Sequence, residues 1–405
     1  MLKRIFKLLG IIIGSLIVVS IICLAYIYSN YKNLEKVEIG NNFVIDSIPF
    51  TYSNSGHILI DVQIQGSKQK YPFILDSGSS SVIFKNLSSK FDLEKNGFHL
   101  GKGSNGNYFT TRIRKVDSIQ VGPISFKNFN IEEAENNFEC FEEIYGLFGT
   151  GLMHNLVWQI DFRKKKIFIS KNINNLQFAK EKLEFRLNEN QFSHHLSIPV
   201  KLSSQSKSFY PIIDLGNSNV LNINKKLIDS FQTPKFLKVS GFGANGLGDS
   251  KSSNLDHRIY LIDTLIIGNS NFKKIPISAV SNGLSLLGLG LFKNFKTTID
   301  WHSKRLILEP YNEQNFNPRI FGLKMIYDER TKKILISSVL ENSSAYYENI
   351  KIQSEVISVN DIKYSGKKNL CLYERLIKDK DTIQLKLRVN NSINQYQLIK
   401  KSIFM

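Results

Sequence analysis

The sequence predicts a mainly β protein with two duplicated β-rich lobes and a cleft between them. One membrane-spanning helix is expected before the lobes, and a small α+β domain after them. Three observations predict this organisation: an uncharged apolar run near the start, a repeated unit in the middle, and a change of pattern near the end. The expected limits are an anchor at 1–30, a first lobe at 38–175, a second lobe at 176–312 and a C-terminal domain at 318–401.

The chain begins with a basic arm, MLKRIFK, followed by 21 residues without a charge from Leu8 to Tyr28. At about 1.5 Å per residue this run spans a bilayer core of roughly 30 Å. A cleavable signal peptide is the alternative, but its apolar region usually runs about 7 to 15 residues, and LAYIYSN is a poor cleavage site. We expect a single-pass anchor with its basic arm in the cytoplasm and residue 30 onward outside.

The middle of the chain contains the same unit twice. YPFILDSGSSSV, which contains Asp76, recurs as FYPIIDLGNSNV, which contains Asp214 138 positions later (214 − 76). DSIQVGPISFK recurs as DTLIIGNSNFK, and GLFGTGLMHNLVWQIDFRKKKIFIS recurs as SLLGLGLFKNFKTTIDWHSKRLILE. The repeat also pairs Asp161 with Asp300, and each of these is predicted to form a hairpin turn rather than to act in catalysis. A duplicated unit of about 135 residues predicts two similar lobes.

Short runs of Val, Ile, Phe and Tyr broken by Gly, Asn and Ser predict mostly strands. HILIDVQIQG and KSFYPIIDLG are predicted as the strands that enter the two Asp-x-Gly turns. Each copy then has a Gly-x-Asn-Gly segment that is typical of a hairpin tip and could cover a cleft. The candidate covering residues are Gly103, Asn105, Gly106, Gly243, Asn245 and Gly246.

The two Asp-x-Gly turns suggest acid–base chemistry. Duplicated lobes bring equivalent surfaces together across a pseudo-two-fold axis, so Asp76 and Asp214 are expected to face one another. Two carboxylates about 3 Å apart share one proton, so one can activate a water while the other polarises a carbonyl oxygen. Gly78 and Gly216 allow tight turns. The residues three positions after each Asp, Ser79 and Asn217, can hydrogen-bond the carboxylates.

These motifs resemble those of the aspartic peptidases, the pepsin-like and retropepsin-like superfamily. The resemblance rests on Leu75–Ser79, on the second turn at Asp214, and on the segments LFGTGL and LLGLGL, and it covers about residues 38–310. It implies two β-barrel lobes in one chain, a monomeric catalytic unit, catalytic Asp76 and Asp214, and a supporting Ser77. The implied activity is endopeptidase cleavage of a peptide or protein substrate.

The second turn departs from this family pattern. The family usually has Ser or Thr after each catalytic Asp, where the hydroxyl locks the two turns together, but this chain has Leu215. One side of a symmetric lock is therefore missing. A catalytically inactive protein of the same fold that binds peptides or acts as a scaffold remains the alternative.

The segment after Pro318 resembles a PDZ domain. Phe321-Gly322-Leu323 matches the apolar-Gly-apolar loop whose NH groups bind a peptide carboxylate, and SSAYYENIKIQSEVISVND matches a later run in spacing. Ser354 and Glu355 replace the usual Gly-Asp. The resemblance implies a module that adds an extended peptide to a sheet edge, and the alternative is a β-rich packing domain. Together with the anchor and the lobes, it resembles bacterial envelope proteins, which implies a location in the envelope or periplasm.

Charge and cysteine content narrow the choice of partners. The formal net charge is +18, but the lysines are spread along the chain without an RNA-binding or helix-turn-helix signature, so no nucleic-acid partner is expected. Cys23, Cys140 and Cys371 are not expected to form a disulfide framework or a zinc site. His194-His195 is predicted as a loop or strand pair rather than a metal site. No metal and no cofactor are expected.

Overall fold

The protein is mainly β, as the sequence predicts. The computed structural model describes residues 2–40, 45–136, 140, 143–203, 207–229, 235–241, 257–390 and 392–403. The four domain limits given above remain predictions, and the elements are therefore grouped by position in the chain.

The helices and strands follow one another in three groups. The first group holds α1 Leu2–Glu35, β1 Glu38–Gly40, β2 Ile45–Pro49, β3 Thr51–Tyr52, β4 Ile58–Ile64, β5 Tyr71–Leu75, β6 Val82–Phe84, α2 Lys85–Lys90, β7 Lys95–Lys102, β8 Tyr108–Val121, β9 Ile124–Ala134, β10 Gly146–Phe148, α3 Thr150–Met153, β11 Val157–Asp161 and β12 Lys166–Ser170. After a 3-10 helix at Ile173–Asn175, the second group holds β13 Leu183–Arg186, β14 Asn188–Glu189, β15 Leu196–Ser197, β16 Val200–Leu202, β17 Ile212–Asp214, β18 Leu221–Asn224, α4 Lys225–Asp229, β19 Phe236–Gly241, β20 His257–Ile267, β21 Ser270–Val280, β22 Leu286–Gly288, α5 Leu289–Phe292, β23 Phe295–Asp300 and β24 Arg305–Pro310. The third group holds β25 Arg319–Ile320, β26 Leu323–Asp328, β27 Lys333–Leu340, α6 Ser344–Tyr347, β28 Glu355–Val359, β29 Ile362–Lys363, α7 Lys368–Asp379, β30 Thr382–Val389, β31 Ser392–Ile399 and β32 Lys401–Ser402.

The repeated sequence folds into repeated topology. In the first copy, β10 pairs in parallel with β5 and antiparallel with β6. In the second copy, β22 pairs in parallel with β17 and antiparallel with β18. β10 and β22 are buried along their whole length, and β5 nearly so, which explains why these segments are continuous apolar runs rather than alternating ones. Each Asp-x-Gly turn therefore begins in the interior of a sheet.

The strands at the Asp turns differ in one respect from the sequence prediction. KSFYPIIDLG contains β17, which leads into Asp214, as expected. HILIDVQIQG instead forms β4, which pairs antiparallel with β5, and β5 is the strand that enters the Asp76 turn. The apolar pattern of HILIDVQIQG predicts a strand correctly, but it does not reveal that a further strand separates it from the turn.

A shared sheet joins the two copies. Among the described residues its order is β13-β24-β23-β11-β12-β2. The equivalent strands β11 and β23 pair antiparallel at its centre, with Val157 opposite Asp300. Asp161 accepts hydrogen bonds from the N–H groups of Arg163 and Lys164, and Asp300 bonds the corresponding N–H groups of its own turn. The prediction that Asp161 and Asp300 form turns is therefore confirmed.

A large apolar core spans both copies and includes the fully buried Trp158, and a separate core lies in the C-terminal segment. The C-terminal strands continue the second copy's sheet, because β27 pairs antiparallel with β19 through Val239–Leu340, Ser240–Val339 and Gly241–Ser338. The sheet then extends through β28 and β30 to β31. The C-terminal segment is thus attached to the second copy by backbone hydrogen bonds.

A disulfide joins Cys140 to Cys371 across 231 positions, with the two Cα atoms 5.0 Å apart. The expectation that these cysteines do not pair is therefore wrong. The spacing of the cysteines along the chain does not predict this disulfide, because the pairing depends on how α7 packs against the first copy. Cys23 is a free, exposed cysteine in α1.

Helix α1 contains an apolar stretch, Arg4–Asn30, with the length and composition of a membrane anchor or a signal sequence. The side chains of this stretch are exposed up to Ser29, and Asn30 is buried. The helix continues without interruption to Glu35, and its end packs against β7, β9 and α3.

Candidate active site

Two equivalent turns bring Asp76 and Asp214 together. Asp76 directly follows β5, and its N–H donates to the Phe148 carbonyl of β10 at 3.0 Å. Asp214 is the last residue of β17, beside Gly288 of β22. The two carboxyl groups lie close enough to interact, so that one can donate a hydrogen bond to the other when it is protonated. The sequence repeat therefore correctly indicates that these two side chains meet.

The glycines of the two turns make this approach possible. A Cβ atom on Gly78 would overlap the carboxyl group of Asp214, and one on Gly216 would overlap that of Asp76. Each glycine N–H also donates to its own Asp, at 3.0 Å from Gly78 and 2.8 Å from Gly216. Any larger residue at either position would push the carboxyl groups apart.

The electrostatics of the pair favour one shared proton. Burial raises the pKa of Asp76, and the hydrogen bonds that it accepts oppose part of that rise. Burial together with the negative charge of Asp76 raises the pKa of Asp214 well above its usual value. Both pKa values are raised, as expected for two carboxyl groups with one proton between them.

A single hydroxyl locks the two turns together. Ser77 donates to the Ile213 carbonyl at 2.8 Å and accepts from the Leu215 N–H at 3.1 Å. Leu215 occupies the equivalent position in the other turn, where its side chain is fully buried in the apolar core. The lock is thus one-sided, and apolar packing replaces the second hydroxyl.

Ser79 and Asn217 contribute through their backbones. Their N–H groups reach the carboxyl groups of Asp76 and Asp214 respectively. Their carbonyls accept equivalent bonds from the Thr150 N–H at 2.9 Å and the Leu289 N–H at 2.7 Å. The two backbones that carry the Asp residues are therefore fixed in the same way in both copies.

Two histidines flank the pair in a second pseudo-symmetric arrangement. His57 hydrogen-bonds the backbone of Gly216, and His195 faces the backbone of Gly78, so each histidine crosses to the other copy's turn. Burial lowers the pKa of each to about 4. They are 138 positions apart (195 − 57), the same offset as Asp76 and Asp214. The two histidines were not among the predicted site residues, although the shared offset could have identified them.

A cavity of about 600 Å³ lies over the pair. Its wall includes Glu132, a buried carboxylate that accepts hydrogen bonds from Ser80 and from Thr111 and lies 2.9 Å from Nδ1 of His99. Among the described residues, no cluster of three or more His, Cys, Asp or Glu side chains could hold a metal ion.

The hairpin formed by β7 and β8 reaches across this cavity. Its tip is closed by a bond from the Gly103 N–H to the Asn107 carbonyl at 2.8 Å. Ser104 accepts a bond from the Leu284 N–H of the second copy at 2.8 Å, and Gly106 lies against the Asn282 carbonyl. Asn105 is buried at this junction. The other covering candidates, Gly243, Asn245 and Gly246, lie outside the described residues.

The C-terminal segment lines the same cavity with Lys324 and Ile326 of β26 and Glu374 of α7. β26 pairs with β27 on one side, and the described residues include no strand on its other side. The adjoining Phe321-Gly322-Leu323 loop is buried, and Gly322 has a φ of +80° with its α-carbon close against Ser343. The three residues predicted to bind a peptide carboxylate thus lie at the start of β26, whose second edge pairs with none of the described strands.

Comparison with known families bears on the first copy. A family model described as aspartyl protease matches residues 60–152, which include Asp76, the hairpin of β7 and β8, and the first three residues of α3. The matched segment does not extend to Asp214 or to the C-terminal segment. The comparison with curated proteins finds no match. An aspartyl protease-like segment, and with it a protease-like function, is therefore supported for this part of the chain.

Proposed function

We propose that the protein is a membrane-anchored aspartic endopeptidase. The observation that carries this proposal is the interacting pair of Asp76 and Asp214, which lines a cavity large enough for a peptide segment. The aspartyl protease match over residues 60–152 supports it independently.

The chemistry follows from the single proton that the two carboxyl groups share, and in this proposal Asp214 holds it. Ionised Asp76 takes a proton from a water held between the pair, and the water oxygen attacks the peptide carbonyl carbon. Asp214 gives its proton to the carbonyl oxygen, which becomes a hydroxyl of the tetrahedral intermediate. When the C–N bond breaks, the nitrogen receives the proton held by Asp76 while Asp214 recovers one from the hydroxyl. The dyad thereby returns to its starting state, with no covalent intermediate.

The hairpin of β7 and β8 acts as a cover in this proposal. The contacts of its tip with residues 282–284 keep the cavity closed, and substrate entry requires the tip to separate from the second copy. Such covers exclude water and complete the site once substrate is bound.

The N-terminal helix acts as a retained anchor in this proposal, with the peptidase outside the cytoplasm in a bacterial envelope or periplasm. Its end packs on the body, and Leu34 lines the cavity, so removal of a signal peptide beyond that point would open the site. The Cys140–Cys371 disulfide fits an oxidising compartment.

The C-terminal segment acts as a PDZ-like peptide-binding module in this proposal. An extended chain can add to the open edge of β26 while its carboxylate meets the Phe321-Gly322-Leu323 loop. Because Lys324, Ile326 and Glu374 line the same cavity as the dyad, a chain bound there is oriented toward the catalytic carboxyl groups.

An inactive peptide-binding protein is the second candidate, and Leu215 favours it. In the one-sided lock, Ser77 alone supplies a hydroxyl that holds the two turns of the dyad together. The two candidates differ in whether peptide bonds are broken, since both keep the cavity.

The test is cleavage of a diverse peptide pool by the full chain in detergent, read by mass spectrometry from acid to neutral pH. Asp76→Asn and Asp214→Asn should each reduce cleavage by about 10³-fold or more, because each removes one acid–base partner. Asp61→Asn, at an exposed aspartate on β4, is the matched control and should retain activity. Equal cleavage by wild type and both dyad variants would exclude the dyad. Peptide binding without cleavage by wild type would favour the inactive protein.

A further inference from the structure

The apolar helix joins the body without a linker. Its apolar stretch ends at Asn30, whose side chain is buried and donates to the Phe98 carbonyl of β7 at 2.9 Å. Gly97 has a φ of +119° and no side chain, which leaves room for Asn30 beside the strand. Two residues earlier, the ring of Tyr28 meets that of Phe192 edge-on at 6.2 Å. The body therefore begins where the span ends.

The cavity lies very close to that junction. Leu34 lines the cavity together with Asp76 and Asp214. Leu34 is four positions after Asn30, a rise of about 6 Å along a helix. If the helix spans a bilayer, the part of the cavity that Leu34 lines is within the headgroup region or just above it.

Exposed apolar side chains surround the same junction. Phe98 is 59% exposed, Leu100 44% and Phe192 56%; together they are called the membrane-facing patch. Side chains alternate along a strand, so His99 lines the cavity while Phe98 and Leu100 point away from it. Aromatic and aliphatic side chains beside the end of a membrane span are typical of residues that enter the lipid interface.

We propose that the membrane-facing patch rests on the bilayer surface and that the cleft takes substrate segments directly next to a membrane span. The occupant of the patch is the lipid interface, because the patch is continuous with the spanning helix. An extended substrate covers about 3.3 Å per residue, so a few residues beyond its own span suffice to reach the dyad. The choice of substrate rests on the proposed peptidase function and on the retained anchor.

Lipid contact is tested with the full chain in vesicles of phosphatidylethanolamine and phosphatidylglycerol that contain a brominated lipid. Phe98→Trp should lose most of its added emission to bromine quenching, after subtraction of the signal from the buried Trp158 and Trp301. Ile393→Trp is the matched control, because Ile393 is also exposed but lies on β31 at the far end of the other sheet. Equal quenching of both, or of neither, would overturn the proposed surface contact.

The substrate class is tested with one cleavable sequence placed either directly after a spanning helix or after a long flexible spacer, in the same vesicles. The near sequence should be cut roughly tenfold faster, because tethering beside the cleft raises its effective concentration. The double variant F98S/L100S should lose that preference while cutting a soluble peptide normally. Equal rates for both placements would contradict the substrate class. Cleavage of neither, with Phe98→Trp quenched, would contradict the peptidase function and leave the surface contact supported.

Discussion

At the scale of single residues, the pH dependence of cleavage should follow the two raised carboxyl pKa values. Activity requires Asp76 ionised and Asp214 protonated, so it should fall on the acid side as Asp76 takes up a proton and on the alkaline side as Asp214 loses one. Burial raises both pKa values above the usual 3.8. The rate profile should be bell-shaped with its maximum above that pH. Turnover measured across a pH series checks this, and a maximum below pH 3.8 would contradict it.

Ser77 should matter more than a surface serine, because its hydroxyl carries both hydrogen bonds of the one-sided lock. Ser77→Ala leaves the Ile213 carbonyl and the Leu215 N–H unpaired in a buried site. The free energy of unfolding should fall by about 1 to 3 kcal/mol, and turnover should fall with it because the turns can separate.

Ser77→Thr is the matched control for this change, because it keeps the hydroxyl at the same position. It should restore most of the stability and turnover lost in Ser77→Ala. Chemical denaturation and peptide turnover measure the two effects. Equal loss in both variants would mean that the hydroxyl is not the important group.

The flanking histidines should make stability depend on pH. Burial lowers the pKa of His57 and of His195 from the usual 6.5 to about 4. Between those pH values the unfolded chain binds more protons than the folded one, so these residues cause stability to decrease as pH falls from about 6.5 to about 4. The raised pKa values of the dyad act in the opposite direction. His57→Asn and His195→Asn should therefore each reduce the acid-side loss of stability.

Each variant removes an imidazole together with its contacts to the surrounding groups. His57 faces Ser53, Ser55, the Gly216 backbone and Lys378, and His195 faces Glu132, His194 and the Gly78 backbone. His302→Asn is the control, because His302 is exposed on the turn after β23. Denaturant titrations at a series of pH values provide the measurement. The same pH slope in His57→Asn and His302→Asn would contradict this assignment.

At the scale of elements, the hairpin of β7 and β8 can be displaced by one methyl group. Gly106 has a φ of +84°, and a Cβ there would overlap the Asn282 carbonyl of the second copy. Gly106→Ala should therefore detach the tip and reduce turnover, through both backbone strain and the clash. Hydrogen exchange should increase at residues 103–107.

Gly66→Ala separates these two effects. Gly66 also has a positive φ, +74°, but a Cβ atom there meets nothing within 4 Å. Backbone strain alone costs roughly 1 to 2 kcal/mol. Gly66→Ala should therefore lower the free energy of unfolding by that amount without loss of turnover. Equal turnover in both variants would show that the contact with Asn282 does not matter.

The sequence predicts strands best where a buried apolar run occurs in both copies of the repeat. Continuous apolar strands lie beside each Asp turn, and Asp76 and Asp214 occupy equivalent positions in the two copies of the repeat. Together these two features are enough to infer that the carboxyl groups meet. His57 and His195 are separated by the same number of positions as the two Asp residues. A single histidine belongs to no local sequence motif, however, and its role depends on which turn of the other copy it faces. The order of strands before Asp76 was also missed, because two neighbouring apolar runs look alike.

At the scale of the whole molecule, the C-terminal segment connects the two copies. It continues the second copy's sheet through β27 and β19 and adds a bond from the Lys238 N–H to Glu341 at 2.9 Å. It also holds the first copy, through the Cys140–Cys371 disulfide and a bond from Lys378 to the Ser53 carbonyl at 3.1 Å. These contacts join positions up to 325 apart, which is why sequence patterns did not predict them.

This connection predicts that the disulfide stabilises the closed arrangement of the cleft. The double variant C140S/C371S frees a loop of 231 positions, so the free energy of unfolding should fall by about 2 to 5 kcal/mol. Cleavage should fall as well, because α7 supplies Glu374 to the cavity wall. Cys23→Ser is the control, since Cys23 is free and lies in the apolar helix. The measurements are thermal unfolding and peptide turnover, each with and without a reductant. The reductant should lower the stability and turnover of wild type and of Cys23→Ser to the values of the double variant. It should leave the double variant unchanged. Wild-type stability and turnover that do not respond to complete reduction would contradict a bracing role for this bond.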